Sequence, residues 1–189
     1  MMCGGWSFSH ICRPCRDRFL TPTLHTRKIL GNIPVYSFFS YSEIEPLLLT
    51  KHTDLGYYVY SIMAQRSLGM FAKSWEYENR AASVGIDDDP KHSGYSHTAV
   101  LNRSLRSPNI TPLYGKLRAR SDHKYAGKSV EERLLHPRDF EYRPFAFEEV
   151  ILVDDIVTTG TTLTEAAETM SANGKKVILC LTLADAENR

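Results

Sequence analysis

The strongest chemical pattern in the chain is the ordered string VILVDDIVTTGTTL at residues 150–163. An apolar strand is followed by two adjacent carboxylates, Asp154 and Asp155, and then by a turn of small residues that opens a helix. Gly160 lets the backbone turn tightly and approach a ligand closely. Consecutive amides of such a turn, with the helix N-terminus behind them, form an anion pocket suited to a phosphate monoester. Threonine hydroxyls add donors at that pocket.

Carboxylates placed just before a phosphate pocket can accept hydrogen bonds from the vicinal hydroxyls of a sugar, so the string fits a phosphorylated ribose. The alternative is a strand–turn–helix in which the threonines only cap the helix, and the complete ordered string favours the sugar phosphate. Asp154 and Asp155 are also the candidate catalytic residues. The predicted binding set consists of Asp154, Asp155, Val157, Thr158, Thr159, Gly160, Thr161 and Thr162.

A basic stretch at residues 101–138 holds nine lysines and arginines against three acidic residues, although the whole chain has a net charge of only +1. Such an excess fits a flap over pyrophosphate or a track for a single strand, with Tyr114 and Tyr125 available for base stacking. The remaining alternative is a solvated surface loop. The candidate contacts to pyrophosphate or DNA are Lys91, Arg118, Arg120, Lys124, Tyr125 and Arg133.

Three further groups have weaker chemical signals. The run of aspartates at residues 87–89 could gather magnesium, but a solvated turn is the favoured interpretation. His97 and His123 are possible acid–base groups, although lone histidines are more often structural. Cys180 lies inside a strand pattern and is predicted to be a core residue.

Alternating strand and helix patterns position these residues. Together they predict an α/β fold with a parallel sheet and helices on its faces, which places a ligand at the carboxyl ends of the strands. The predicted strands are 35–41, 82–86, 111–114, 149–153 and 177–184, and the predicted helices are 57–71, 95–105 and 162–172. Residues 115–137 are predicted to form a long loop or flap.

Length and composition are those of an ordinary globular protein. The chain has 189 residues, a length that is enough for one full domain and a small appendage. Of these residues 42% are hydrophobic and 24% are charged, as in an ordinary globular protein. No apolar run approaches the length needed to cross a bilayer, and the first residues lack the apolar region of a signal peptide. We therefore expect no membrane insertion and a cytoplasmic location, where the four cysteines are reduced.

The chain resembles the ComF family of competence proteins, in which a small cysteine-bearing segment precedes a type I phosphoribosyltransferase-like domain. The resemblance rests on the string at 150–163, the strand VYSFFSY, the block LLLTKHTDLG at 47–56 and the string SVEER at 129–133. It implies a cysteine-bearing segment at 1–30 and the phosphoribosyltransferase-like domain at 31–189. It also implies binding of phosphoribosyl pyrophosphate (PRPP) with Mg²⁺, and handling of single-stranded DNA together with proteins of the DNA-uptake machinery.

The chain departs from the family pattern at two places. Members of the family carry two C-x-x-C pairs, whereas here Cys12 and Cys15 form one pair and Trp6 stands where a partner of Cys3 is expected. A closed zinc site needs four ligands, so the alternatives are zinc on Cys3, Cys12, Cys15 and His10, or a degenerate site without metal. The second departure is Tyr125, which stands where many members of the family have a glutamine. The resemblance therefore does not identify the substrate that would accept the phosphoribosyl group.

Three functions remain as hypotheses at this point. The first, which we favour, is a ComF-type competence protein that binds PRPP or a related phosphosugar and single-stranded DNA. The second is an active phosphoribosyltransferase of nucleotide metabolism. The third is an interaction module with a relic loop, and the intact string at 150–163 argues against it.

Overall fold

The computed structural model describes residues 3, 9–87, 90, 94–120 and 139–186. In chain order the elements are α1 (Arg13–Phe19), β1 (His25–Ile29), β2 (Ile33–Ser40), α2 (Tyr41–Leu48), a 3-10 helix (Leu49–His52), α3 (Asp54–Arg66), α4 (Leu68–Ser74), β3 (Ala81–Gly85), α5 (His97–Arg103), β4 (Ile110–Leu113), β5 (Leu117–Ala119), β6 (Phe140–Tyr142), β7 (Glu149–Val157), α6 (Thr161–Ala172) and β8 (Lys176–Asp185).

A six-stranded sheet with the order β1-β2-β8-β7-β3-β4 forms the centre of the fold. All neighbours in it are parallel except β1, which pairs antiparallel with β2 at one edge. Strands β5 and β6 form a separate antiparallel pair. The predicted α/β fold with a mainly parallel sheet is confirmed, and its carboxyl edge is where a ligand is expected.

Two apolar cores cover the two faces of the sheet because side chains alternate along β7. Ile151 and Val153 pack into the core built with α2, α3, α4 and α5. Val150 and Leu152 pack into the core built with α6, where Cys180 is fully buried as predicted. The near-continuous apolar run of β7 reflects burial on both faces.

The five predicted strands are all present, with ends shifted by a few residues. The single helix predicted at 57–71 is wrong: it is two helices, α3 and α4, that meet at Ser67. The buried Ser67 hydroxyl donates to the carbonyl of Met63 at 2.7 Å, a contact that bends helices. None of the described helices combines the length and apolar character that crossing a membrane requires.

The division at residue 30 remains a prediction, and the sheet crosses it. Strand β1 lies before the division and pairs with β2 behind it, from His25 opposite Ser37 to Ile29 opposite Ile33. Ile11 and Leu20 are also buried in the core with the helices of the main body.

Candidate phosphosugar site

Strand β7 carries both candidate carboxylates on the sheet itself, because it continues to Val157 rather than ending at Val153 as predicted. Asp155 follows the face of Ile151 and Val153 and is 6% exposed, whereas Asp154 lies on the other face and is half-buried. The Asp155 amide donates to Asp154 Oδ1 at 2.8 Å. The two neighbouring carboxylates therefore have different surroundings.

Asp155 is held by three side chains that converge on its Oδ2. The Lys51 ammonium lies 2.9 Å away, the Tyr60 hydroxyl donates at 3.3 Å, and His97 Nε2 lies at 3.7 Å. Burial is the largest single influence and by itself would raise the pKa of Asp155, but the charges of Lys51 and His97 and the hydrogen bonds from Lys51 and Asp154 together outweigh it and hold that pKa below the ordinary value. Burial lowers the pKa of His97, so Lys51 is the charged partner near pH 7.

The 3-10 helix and α5 position this network. The Tyr95 hydroxyl donates to the carbonyl of Lys51 at 2.7 Å, which fixes the backbone from which the ammonium extends. Burial raises the pKa of Tyr95 to about 12, so its hydroxyl stays protonated and can donate. A side chain on Gly56 would collide with Tyr95 and with the carbonyl of Thr50, each at 2.2 Å. Sequence reasoning missed the role of Lys51, although the block at 47–56 contains it.

The turn after β7 has the conformation that its sequence predicts. Gly160 precedes α6 with a φ of 81°, in the left-handed region where glycine is favoured. A β-carbon there would also meet Ile29 Cγ2 at 3.0 Å. The Thr159 and Thr161 hydroxyls lie 2.8 Å apart, and Thr158 and Thr159 are exposed. The loop thus presents amides and hydroxyls at a helix N-terminus.

The remaining members of the predicted set differ in what they can offer a ligand. Thr161 and Thr162 are half-buried in the first turn of α6. Val157 is buried, at 2% exposure, and its carbonyl accepts from the amide of Ala186 at 2.9 Å. Its side chain therefore belongs to the core rather than to the ligand surface.

Arg27 of β1 binds the loop from the neighbouring edge of the sheet. Its guanidinium forms a two-pronged ion pair with Asp185 at the end of β8, with Nε 2.9 Å from Oδ2. It also donates to the carbonyl of Thr158. No sequence signal identified Arg27, because HTRKI was not predicted to be a strand.

Part of the predicted flap is present as the short pair of β5 and β6. Arg118 lies on β5 and is half-buried, while the exposed Arg120 is 3.7 Å from Asp139. Asp87 is tied to this pair, because its Oδ1 accepts from the amide of Ala119 at 3.2 Å. The predicted residues Asp88, Asp89, Lys91, His123, Lys124, Tyr125 and Arg133 lie outside the described residues.

Three cysteine sulfurs of the N-terminal part lie together. The sulfurs of Cys3, Cys12 and Cys15 are all within 4.8 Å of one another, with Cys3 and Cys12 3.5 Å apart. Hydrogen bonds that the Cys15 thiol makes with Cys12 and Cys3 raise the pKa of Cys15 to about 12. Three sulfurs at this spacing fit three ligands of a zinc site. His10 is not part of the group, because its ring stacks on Tyr58 at 4.0 Å.

We expect freshly purified, reduced protein to contain about one zinc per chain, the stoichiometry of a single site on the three sulfurs. Cys12→Ser should lose the metal, whereas Cys180→Ser, which changes a core cysteine, should keep it. Metal analysis of both variants and the wild type measures this directly. Zinc-free wild-type protein would show that the cysteine group is degenerate.

Magnesium has no preassembled cage in the described part of the chain. There the cysteines form the only group of three or more possible metal ligands. Mg²⁺ keeps several waters and is usually bound by one or two carboxylates together with substrate phosphates. Asp154, half-buried beside the loop, fits the role of such a carboxylate.

Part of the chain, including the loop after β7, matches a known protein family. Residues 115–189 match the family model described as the phosphoribosyl transferase domain, a segment that includes β7, the loop, α6 and β8. No curated protein matches the chain.

The solved structures that are similar to the chain include three phosphoribosyltransferases. A hypoxanthine phosphoribosyltransferase from Staphylococcus aureus is 17% identical with a TM-score of 0.42, and the match covers 69% of this chain and 65% of that one. Orotate phosphoribosyltransferase from Aeropyrum pernix is 16% identical with a TM-score of 0.40, covering 90% and 78%. An adenine phosphoribosyltransferase is 14% identical with a TM-score of 0.44, covering 91% and 89%. The chain thus spans slightly less than two thirds of the hypoxanthine enzyme.

The protein has an α/β fold with a mainly parallel sheet and flanking helices. Residues 115–189 carry the sequence pattern of the phosphoribosyl transferase domain.

Proposed function

We propose that this protein binds PRPP or a related phosphosugar at the loop after β7. The observation that carries the proposal is the loop itself, in which Gly160 adopts a φ of 81° at the start of α6, directly behind two carboxylates. The 5-phosphate would lie on the amides and hydroxyls at the N-terminus of α6. Asp154 is the better candidate for the ribose hydroxyls, since Oδ2 of Asp155 is bound by Lys51 and Tyr60.

Magnesium would accompany the pyrophosphate and offset its charge. Arg118 and Arg120, at the base of the predicted flap, would supply further positive charge near it. The chain's own contribution is then to orient the ribose through Asp154 and to fix the loop. Whether an acceptor attacks the ribose decides between a binding protein and an active transferase.

We further propose the biological role of the ComF family, the handling of single-stranded DNA in the cytoplasm during natural transformation, with proteins of the DNA-uptake machinery as partners. Two observations support this role. The segments 47–56 and 150–163 resemble the ComF family, and residues 101–138 carry an excess of positive charge. The alternative is an active phosphoribosyltransferase of nucleotide metabolism, and release of pyrophosphate from PRPP with a panel of purine and pyrimidine bases distinguishes the two.

PRPP with Mg²⁺ should raise the melting temperature of the wild type, because a ligand that binds the native state stabilises it. At 100 times its Kd the expected stabilisation is about 2.7 kcal/mol. Asp154→Asn should remove the rise while leaving the unliganded melting temperature nearly unchanged. Ribose 5-phosphate and pyrophosphate, each with and without Mg²⁺, show which part of PRPP is bound. An unmoved melting curve at saturating PRPP would exclude the phosphosugar site.

A further inference from the structure

A cleft of 1020 Å³ lies between the helices on the face of the sheet that carries Asp155. Helices α3, α4 and α5 form most of its wall, and His10 and Arg16 of the N-terminal part close one side. No residue of the loop after β7 lines it, so the cleft is distinct from the phosphosugar site. The two are adjacent, however, because Tyr95 lines the cleft and donates to Lys51, which binds Asp155.

The charge of this cleft has one sign. Among the described residues that line it there is no aspartate or glutamate, and the cations are Arg16, Arg66, Lys73, Arg103 and Arg106. Arg66 is paired with Asp17 at 3.0 Å. Within the described part of the chain the other four cations form no ion pair. A concave surface of a single sign attracts a ligand of the opposite charge.

Tyrosines give the cleft flat surfaces beside these charges. Tyr57, Tyr58 and Tyr114 all line it and are 38%, 49% and 44% exposed. Tyr58 already accepts a flat ring, because the imidazole of His10 stacks on it with an interplanar angle of 12°. Aromatic faces of this kind stack nucleobases with little regard for sequence.

We propose that this cleft binds single-stranded nucleic acid, with phosphates on Arg16, Lys73, Arg103 and Arg106 and bases on the exposed tyrosines. The volume of 1020 Å³ lies at the upper end of the range of about 300–1,000 Å³ typical of small-molecule sites, which leaves room for more than one nucleotide. The cleft combines cations with aromatic rings, as a single strand combines phosphates with bases, whereas an acidic peptide would leave the rings unused. The inference rests on the proposed role in handling DNA and locates it on the helices rather than on the flap.

The test is fluorescence anisotropy with a labelled oligo-dT strand at several salt concentrations. Lys73→Gln, Arg103→Gln and Arg106→Gln combined should weaken binding about tenfold near physiological salt. They should also reduce the salt slope, which is the slope of the logarithm of the binding constant against the logarithm of the salt concentration. We expect a reduction of about 2, because each lost phosphate contact removes roughly 0.7 from that slope for single strands. Tyr57→Ala with Tyr114→Ala should weaken binding and leave the slope unchanged.

The matched control is the combination Lys28→Gln, Arg80→Gln and Lys176→Gln. It removes the same charge from three exposed cations outside the cleft. Equal weakening by the control and the cleft variant would reduce the effect to net charge and overturn the proposal. The PRPP-induced rise in melting temperature should persist in both triple variants, which establishes that they are folded.

Competitors and a flap variant separate the remaining outcomes. Polyglutamate should not displace the strand, and displacement at equal charge would assign the cleft to acidic peptides instead. If Arg118→Gln, Arg120→Gln and Lys124→Gln abolish binding while the cleft variant binds like the wild type, the cleft proposal fails and the proposed DNA role survives. If the wild type binds no strand at low salt, the DNA role fails too, whatever the outcome with PRPP.

Discussion

Replacing Asp155 by alanine should lower the free energy of unfolding by about 3 kcal/mol, because it removes the carboxylate that the Lys51 ammonium binds and leaves a buried cavity in its place. The Lys51 and Asp155 side chains are 28% and 9% exposed, so water screens the pair only weakly. For a chain of 189 residues this corresponds to a fall in melting temperature of roughly 6–12 °C. Urea unfolding followed by circular dichroism measures it.

A double-mutant cycle with Lys51→Met and Asp155→Asn isolates the pair itself. Each single variant removes one side of the ion pair and loses its whole energy, so the double variant should be less destabilised than the sum of the two. Additive losses would mean that Lys51 and Asp155 do not interact in solution.

The pH dependence of stability gives a second signature of the same pair. The pKa of Asp155 in the folded protein lies below the ordinary value, so its stabilisation is complete above about pH 4 and is lost as pH falls through the folded pKa. The pKa of His97 is also lowered by burial, so stability should begin to fall below about pH 6.5 as the unfolded chain binds this proton. Asp155→Asn should abolish the loss of stability that protonation of Asp155 causes, and it should keep the loss that His97 causes.

Replacing Arg27 by methionine should cost about 3 kcal/mol and also weaken PRPP binding. The side chains of Arg27 and Asp185 are 14% and 10% exposed, so the variant removes the guanidinium that binds a largely buried carboxylate. It also removes the donor to the carbonyl of Thr158, which ties the exposed part of the loop to β1. A loop that is less well ordered before binding loses more conformational entropy when the ligand orders it, and this loss lowers the affinity.

Lys28→Met is the matched control, since Lys28 is the next residue of β1 and is exposed. Arg27→Lys should be intermediate, because lysine keeps the charge but cannot make the two-pronged contact. Thermal shift with PRPP and urea unfolding are measured on all three variants. If Arg27→Met matches Lys28→Met in both, Arg27 has no role in positioning the loop.

The sequence by itself determined the features that are encoded locally. The apolar run of β7 predicts a strand buried on both faces, and the order of carboxylates, small residues and Gly160 predicts the turn that opens α6. These features depend on residues within one short segment, whose backbone preferences act on neighbours along the chain. The same locality explains why the three sulfurs of the N-terminal part could be grouped in advance.

Only the tertiary structure decided which groups complete the site. Lys51 lies 104 residues from Asp155, and Arg27 lies 131 residues from Thr158 and 158 from Asp185. Strand β1 carries Arg27 in the polar sequence HTRKI, and its half-exposed edge position leaves no apolar pattern to detect. The cleft likewise draws its cations from α1, α3, α4 and the segment at the end of α5, and of these only Arg103 and Arg106 belong to the basic stretch that the sequence indicates. Charges become partners through the crossing of strands and helices in space, and no local spacing in the sequence encodes those distances.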